Sequence, residues 1–275
     1  MRIGFVGAGQ MGEPMVSRLL AAGHKVYVFV RRVEVADRLR KQGAVIVASF
    51  ADLGRDCDIV ICCAFSDEQL TQIALSPGGV VAQMKPGSVF VSHTTGRVDT
   101  LMQISTLRKA RDVAVVDAPI SGTAAEILEG RLTILLGGSS EDVDKVVPVL
   151  ASYGENIIRT GKFGSALGVK LVNNLLFAAN LQLVAEAVRL GTAMEIEPDV
   201  LQHAVTYCSG SSQAAERAAS AGGIEAFGQI AKPFLHKDVS VCLESARVRG
   251  VDLGLLREVV AGGILDLAPA DSSTG

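Results

Sequence analysis

The chain starts on a short apolar run, Ile3 to Val6, which breaks into glycines at positions 7, 9 and 12 and passes at once into MVSRLLAAG, a stretch of helical periodicity closed by a glycine. A strand that turns through three glycines into a helix has few ways to fold. Gly7 permits the tight turn, Gly9 lets a pyrophosphate approach the backbone, and Gly12 lets the helix pack closely on the strand. Free N–H groups and the dipole at the helix start favour an anion there. The opening therefore implies a dinucleotide-binding β–α–β unit and a nicotinamide or flavin cofactor.

The end of the second strand bears on which dinucleotide. That strand reads KVYVFV, 25–30, and closes on Arg31 and Arg32. A site selective for NAD carries Asp or Glu about 20 residues after the glycines, to hold the ribose hydroxyls. Val30 cannot do this, whereas two guanidinium groups suit a 2′-phosphate. NADP(H) is thus expected as the preferred cofactor, with NAD(H) as a possible one. Glu34, the nearest acid, falls a turn too late and is expected to start the next helix. The competing reading of the arginine pair is a solvated basic turn.

Strand-like runs then alternate with amphipathic stretches: AVIVA, DIVICCA, SVFVSH, VAVVDAP, LTILLGG and ENIIRTG. Alternation of this kind predicts a doubly wound, mostly parallel sheet of the Rossmann type. LTILLGG follows VAVVDAP without a long helix, so an antiparallel edge strand is expected there. From Ser165 the strand runs stop, and helical periodicity continues to Leu267. The expected organisation is a dinucleotide-binding domain over 1–163 and an all-helical substrate and dimerisation domain over 164–275. A helix from about Ser165 to Met194, roughly 45 Å long at 1.5 Å per residue, would link the two. The small polar tail PADSSTG reads as mobile.

With 275 residues, 49% hydrophobic content and a formal net charge of -3, the chain has material for a large core and no basic field for nucleic acid. The region from Leu167 to Met194 is apolar, but Lys170, Asn173, Asn174, Asn180, Gln182, Glu186 and Arg189 interrupt it too often for a membrane span. The five cysteines form no CxxC pair and read as reduced, mostly buried small hydrophobes. The four histidines show no metal-ligand spacing, so no metal site is expected. No signal-like segment precedes the first strand, and the expected setting is cytoplasmic. The apolar helices beyond Ser165 present more hydrophobic surface than a small domain buries alone, which predicts a homodimer or higher symmetric oligomer.

Four separated segments, GFVGAGQMGEPM, DAPISG with GRLTILLGG behind it, GVKLVNN and FLHKDV, occur in an order and spacing that resembles the β-hydroxyacid dehydrogenase family. This is the group of 3-hydroxyisobutyrate dehydrogenase, tartronate semialdehyde reductase and the glyoxylate and succinic semialdehyde reductases. The resemblance implies an NAD(P)-dependent enzyme acting on a small β-hydroxyacid or its semialdehyde. Imine reductases share the fold but usually carry Asp or Tyr where Lys170 stands, which makes them the runner-up. A non-catalytic dinucleotide-binding module is the alternative of another class.

Residue by residue, the resemblance implies that Gly7, Gly9, Gln10, Met11 and Gly12 contact the cofactor, with Thr95 near the nicotinamide ribose and Lys237 reaching towards the cofactor and active site. Ser121, Gly122 and Thr123 correspond to the loop that binds the substrate carboxylate through backbone N–H groups and the serine hydroxyl. Reduction of a carbonyl requires a proton at its oxygen, and Lys170 is the implied donor. Its pKa would fall if it were desolvated beside an oxidised nicotinamide. Asn174, four residues later on the same helix face, is implied to bind substrate and hold the lysine, while Asn173 reads as structural. Several positions depart from the family. Thr123 replaces a glycine, Glu126 and Ile127 replace small residues, CAFSDEQ lacks the common Leu-Pro, and SHTT stands where Asp-x-Ser-Thr is usual. Thr123 implies either a remodelled pocket or a shifted loop, the charge of Glu126 implies a site that repels a small dicarboxylate, and the departures together imply a divergent member whose substrate the sequence does not assign.

Overall fold

The computed structural model describes residues 1–109 and 112–268, so the expectation for the PADSSTG tail lies outside the described residues. The strands are β1 (Arg2–Val6), β2 (Lys25–Phe29), β3 (Val45–Ile46), β4 (Ile59–Cys62), β5 (Val89–Ser92), β6 (Ala114–Asp117), β7 (Ile120–Ser121), β8 (Leu132–Gly137) and β9 (Gly154–Gly161). They form one sheet in the order β3-β2-β1-β4-β5-β6-β8-β7, with β9 also paired to β8. The pairs from β3 through β6 are parallel. Their strand order reverses between β1 and β4, which is where such sheets bind ligands, beyond the carboxyl ends of the strands.

Every residue of β4 and β5 is buried, as expected for central parallel strands covered on both faces. One apolar cluster lies on the side of α1 (Gly12–Ala21) and α8 (Ser140–Leu150). A second gathers Leu53, Val60, Leu70, Phe90 and Ile104 on the other side. The expected antiparallel strand is present as β8, but it is not an edge. β6 and β7 pair antiparallel with β8 on one side, while β9 pairs with it in parallel on the other. The reason is α8, which supplies the crossover from β8 to β9. The exposed pattern of β9 then marks it as a sheet border.

The remaining helices of this half are α2 (Val33–Lys41), α3 (Phe50–Asp56), α4 (Asp67–Leu75), α5 (Val80–Gln83), α6 (Val98–Lys109) and α7 (Ala124–Leu128). Ser49, Ser66, Thr123 and Ser139 cap α3, α4, α7 and α8 by accepting from an early backbone N–H. The second half holds α9 (Ser165–Ala193), α10 (Pro198–Tyr207), α11 (Gln213–Ser220), α12 (Ile224–Arg249) and α13 (Leu255–Gly262). Pro198 sits at the start of α10, where its missing N–H costs nothing, and Gly250 in the left-handed region closes α12.

Two compact units meet between Lys170 and Leu171, inside α9. The change of sequence pattern falls slightly earlier, at 163/164. The first turn of α9 belongs with the sheet because Ala166 and Leu167 are buried and its amides are bonded to the end of β6. By length and composition α9 could cross a membrane. Its polar residues behave differently: Gln182 is buried, donates to the carbonyls of Val260 and Leu265, and accepts from Leu265 N–H. That is the behaviour of a core helix in a helical unit.

Candidate active site

At the end of β1, Gly7 takes a φ of +95°, and a side chain there would overlap the carbonyl of Cys63. A side chain on Gly12 would overlap the carbonyl of Gly7 and meet the Phe5 ring. Gly9 is different, since nothing lies within 4 Å of where its Cβ would be. Two glycines are therefore demanded by the protein's own packing, while the third leaves open space. Gln10 is exposed and Met11 packs partly against the core. Met11 occupies the cap position of α1 without a side-chain cap. A helix start of this form fits the pyrophosphate of a dinucleotide.

The charge balance around the turn is positive. Glu13, in the first turn of α1, is gripped by Arg38 through two hydrogen bonds of 2.6 and 2.9 Å, and this pairing lowers its pKa. The strand expected to run to Val30 ends at Phe29, because Val30 leaves the ladder and packs against the core. Arg32 then reaches back across the turn, its guanidinium donating to the Ala8 carbonyl at 3.2 Å. Arg31 is exposed beside it, and Glu34 lies in α2 as expected.

The loops beyond β4, β5 and β6 are tied together by groups whose partners sequence alone could not reveal. Thr94 is buried and accepts from Ala64 N–H at 3.2 Å. Asp67 accepts from Arg97 N–H and from the Thr100 hydroxyl, each at 2.6 Å. The two departures CAFSDEQ and SHTT thus interlock, and half-buried Thr95 sits between their anchors. His93 is enclosed, with Nδ1 2.5 Å from the Ala118 carbonyl and Nε2 2.8 Å from the Tyr153 hydroxyl. Burial holds its pKa down at about 4.

The DAPISG segment supplies two functions. Asp117 is buried, and its carboxylate accepts from Gly164 N–H at 2.7 Å and Leu167 N–H at 2.9 Å, so it caps α9 from across the sheet. Desolvation raises its pKa, against the opposing pull of those helix amides. Ser121 ends β7, and Gly122 takes a φ of +142°. Thr123 caps α7, with Glu126 completing a reciprocal box by accepting from Thr123 N–H at 2.6 Å and from its hydroxyl at 2.9 Å. Two residues of this segment also serve the fold. Ile127 is fully buried in the main core, because α7 turns its apolar face to the sheet. Thr123 is a helix cap, and its backbone donor is already engaged by Glu126.

Lys170 follows in the second turn of α9, half-buried. In the helical unit, buried Asn174 donates from Nδ2 to Asp238 Oδ2 and accepts from Asn173 Nδ2 at 3.0 Å. Asn173 Nδ2 thereby helps orient the Asn174 amide. Asn174 is thus tied to Asp238, a residue the sequence analysis did not single out. Lys237 makes an ion pair with Asp238 at 2.8 Å, and the pair is largely shielded rather than solvated. The signal that could have found Asp238 was its place beside a lysine on an otherwise apolar helix face.

A glycine turn at the reversal point of a parallel array, in a chain that continues into an all-helical unit, is the architecture of a dinucleotide-binding protein. Residues 2–161 match the family described as the NAD binding domain of 6-phosphogluconate dehydrogenase. Residues 164–263 match the NAD-binding domain of NADP-dependent 3-hydroxyisobutyrate dehydrogenase. The chain belongs to the β-hydroxyacid dehydrogenase family. It is 30% identical over 260 residues to 2-(hydroxymethyl)glutarate dehydrogenase of Eubacterium barkeri, spanning 92% of this chain and 85% of that protein. An uncharacterized oxidoreductase of Bacillus subtilis is 31% identical over 255 residues, spanning 91% and 88%. In structure, 3-hydroxyisobutyrate dehydrogenase of Mycobacterium tuberculosis, determined with L-serine, superposes with a TM-score of 0.83 over 97% of this chain and 96% of that one. At 23% identity this likeness shows the fold alone.

Proposed function

We propose that the chain is an NADP(H)-preferring enzyme that interconverts a small β-hydroxyacid and its semialdehyde or keto form, with Lys170 as proton donor and acceptor. The observation that carries this reading is the bond from Asp117 to the first amides of α9. It joins the DAPISG loop and the start of the Lys170 helix into one piece within the sheet unit. The nicotinamide would supply the hydride. The protein's part is to hold the carboxylate on the Ser121 hydroxyl and the loop amides, and to exchange a proton between Lys170 Nζ and the substrate oxygen.

Arg32 at the glycine turn, with Arg31 beside it, supports NADP(H) over NAD(H). Glu126, fixed against Thr123, keeps a negative charge at the carboxylate loop and favours monocarboxylate substrates. We read Lys237, held by Asp238, as a cofactor contact, Asn174 as a substrate contact and Thr95 as a ribose contact. The helical half is read as the substrate and dimerisation domain, because exposed Leu176, Leu183 and Leu190 recur at seven-residue spacing along α9.

The test is Lys170→Ala, assayed against a panel of semialdehydes, glyoxylate and cyclic imines with NADPH and NADH. Turnover should fall about 100-fold, the range for losing a general acid. NADPH affinity should hold, and the pH profile of kcat/KM should lose its basic limb. Near-normal turnover, or affinity and turnover falling in step, would remove the lysine from that role. Preference for the imines would favour the imine-reductase reading instead.

A further inference from the structure

We propose that His93 and Tyr153 form a buried clamp on the peptide leading into the substrate loop, making His93 a positioning residue for substrate binding. The inference rests on the reading of Ser121 and Gly122 as carboxylate ligands.

The path starts at Ala118. Between β6 and β7 the chain leaves the ladder at Ala118 and Pro119, both in the turn that carries DAPI towards Ser121. Ala118 N–H donates to Ser92 at 2.7 Å, and the Pro119 carbonyl accepts from Leu135 N–H at 3.0 Å. The Ala118 carbonyl belongs to a residue with no exposure to water. A buried carbonyl requires a donor, and His93 Nδ1 provides it at 2.5 Å.

This contact decides the state of the whole ring. A carbonyl can only accept, so Nδ1 carries the proton, and burial keeps the imidazole neutral. Nε2 is then an acceptor, and the Tyr153 hydroxyl, 2.8 Å away, must donate its single proton to it. The two rings also meet edge to face, with centroids 5.8 Å apart at 80°. Tyr153 is fully buried at the turn before β9. The imidazole is therefore locked in tautomer by the carbonyl and in orientation by the tyrosine behind it, and its front edge sets the direction of the Ala118 carbonyl, three residues before Ser121. A phenyl ring at position 93 would fill the space and leave the carbonyl without its donor.

The clamp is tested in the NADPH-bound enzyme by two readouts. Two-bond 1H–15N spectra of histidine-labelled protein should show one buried histidine as the Nδ1–H tautomer, and Tyr153→Phe should keep that tautomer while shifting its Nε2 resonance through loss of the donated hydrogen bond. In kinetics, His93→Phe should raise the KM for the hydroxyacid about tenfold while the NADPH Kd stays within about twofold. His93→Asn keeps an amide N–H where Nδ1 stood and should recover most of the loss. An Nε2–H tautomer in the wild-type protein overturns the clamp. So does a His93→Phe variant that raises KM and NADPH Kd together, or one that leaves KM unchanged while Ser121→Ala raises it. If Ser121→Ala itself leaves KM unchanged, the substrate-loop reading fails and the positioning role fails with it, whereas the tautomer result still judges the hydrogen bonds. Should His93→Phe not fold, the wild-type spectrum and the His93→Asn kinetics suffice.

Discussion

Alanine at each glycine of the opening turn separates what the fold needs from what the cofactor needs. Gly7→Ala places a β-carbon on backbone at φ +95° and against the Cys63 carbonyl, which cannot rotate away. Positive φ costs an ordinary residue about 1–2 kcal/mol, and an overlap that forces backbone to shift adds about 1–3 kcal/mol. The apo protein should lose about 2–5 kcal/mol from the two effects together. Gly12→Ala gains about 1 kcal/mol of helix propensity, but its β-carbon falls on the Gly7 carbonyl and 2.9 Å from Phe5, so it too should destabilise. Gly9→Ala meets nothing within 4 Å and its φ is not positive. Its apo stability should be unchanged or rise by a few tenths to about 1 kcal/mol, through the stiffer unfolded chain. If Gly9 is where the pyrophosphate approaches, that same methyl group should weaken NADPH binding by at least about tenfold, or 1.4 kcal/mol. Urea unfolding of the apo protein and fluorescence titration with NADPH give the two numbers independently. A Gly9→Ala protein that binds NADPH normally would refute the close-approach assignment, and a stable Gly7→Ala protein would refute the packing argument.

Replacing Arg31 and Arg32 by serine should remove most of the preference for NADPH over NADH in kcat/KM, and a wild-type enzyme that favours NADH would contradict the reading from the outset. His93 should make the fold acid-sensitive. Its pKa is about 4 when folded against 6.5 ordinarily, so the unfolded chain binds the extra proton between those values. The stability from keeping it neutral is complete above about pH 6.5 and lost as pH falls towards 4, up to about 3 kcal/mol. The wild-type minus His93→Asn difference in unfolding free energy, measured across that window, should shrink on acidification; a flat difference counts against it. Light scattering at micromolar concentration should give a dimeric or larger mass, and Leu183→Glu on α9 should shift it towards monomer.

The glycine turn, the alternation of elements, the change to helix near Ser165 and the arginine pair after β2 were legible in the sequence because each follows from local rules. Such rules include a positive φ, a two- or 3.6-residue period, or a missing acid at one strand end. The four separated motifs carried the family for the same reason, as short segments whose chemistry sits in adjacent residues. What remained hidden was which polar group answers which. Asp117 caps a helix 47 and 50 residues away, His93 reaches carbonyl and hydroxyl partners 25 and 60 residues away, and Asn174 is held by Asp238 at a separation of 64. Glu126 shows the opposite case, a partner only three residues from Thr123, whose charge the capping box fixes in place at the loop. Burial removes water from these groups and requires a partner for each. Only the packing of the sheet and helices determines which partner is within reach.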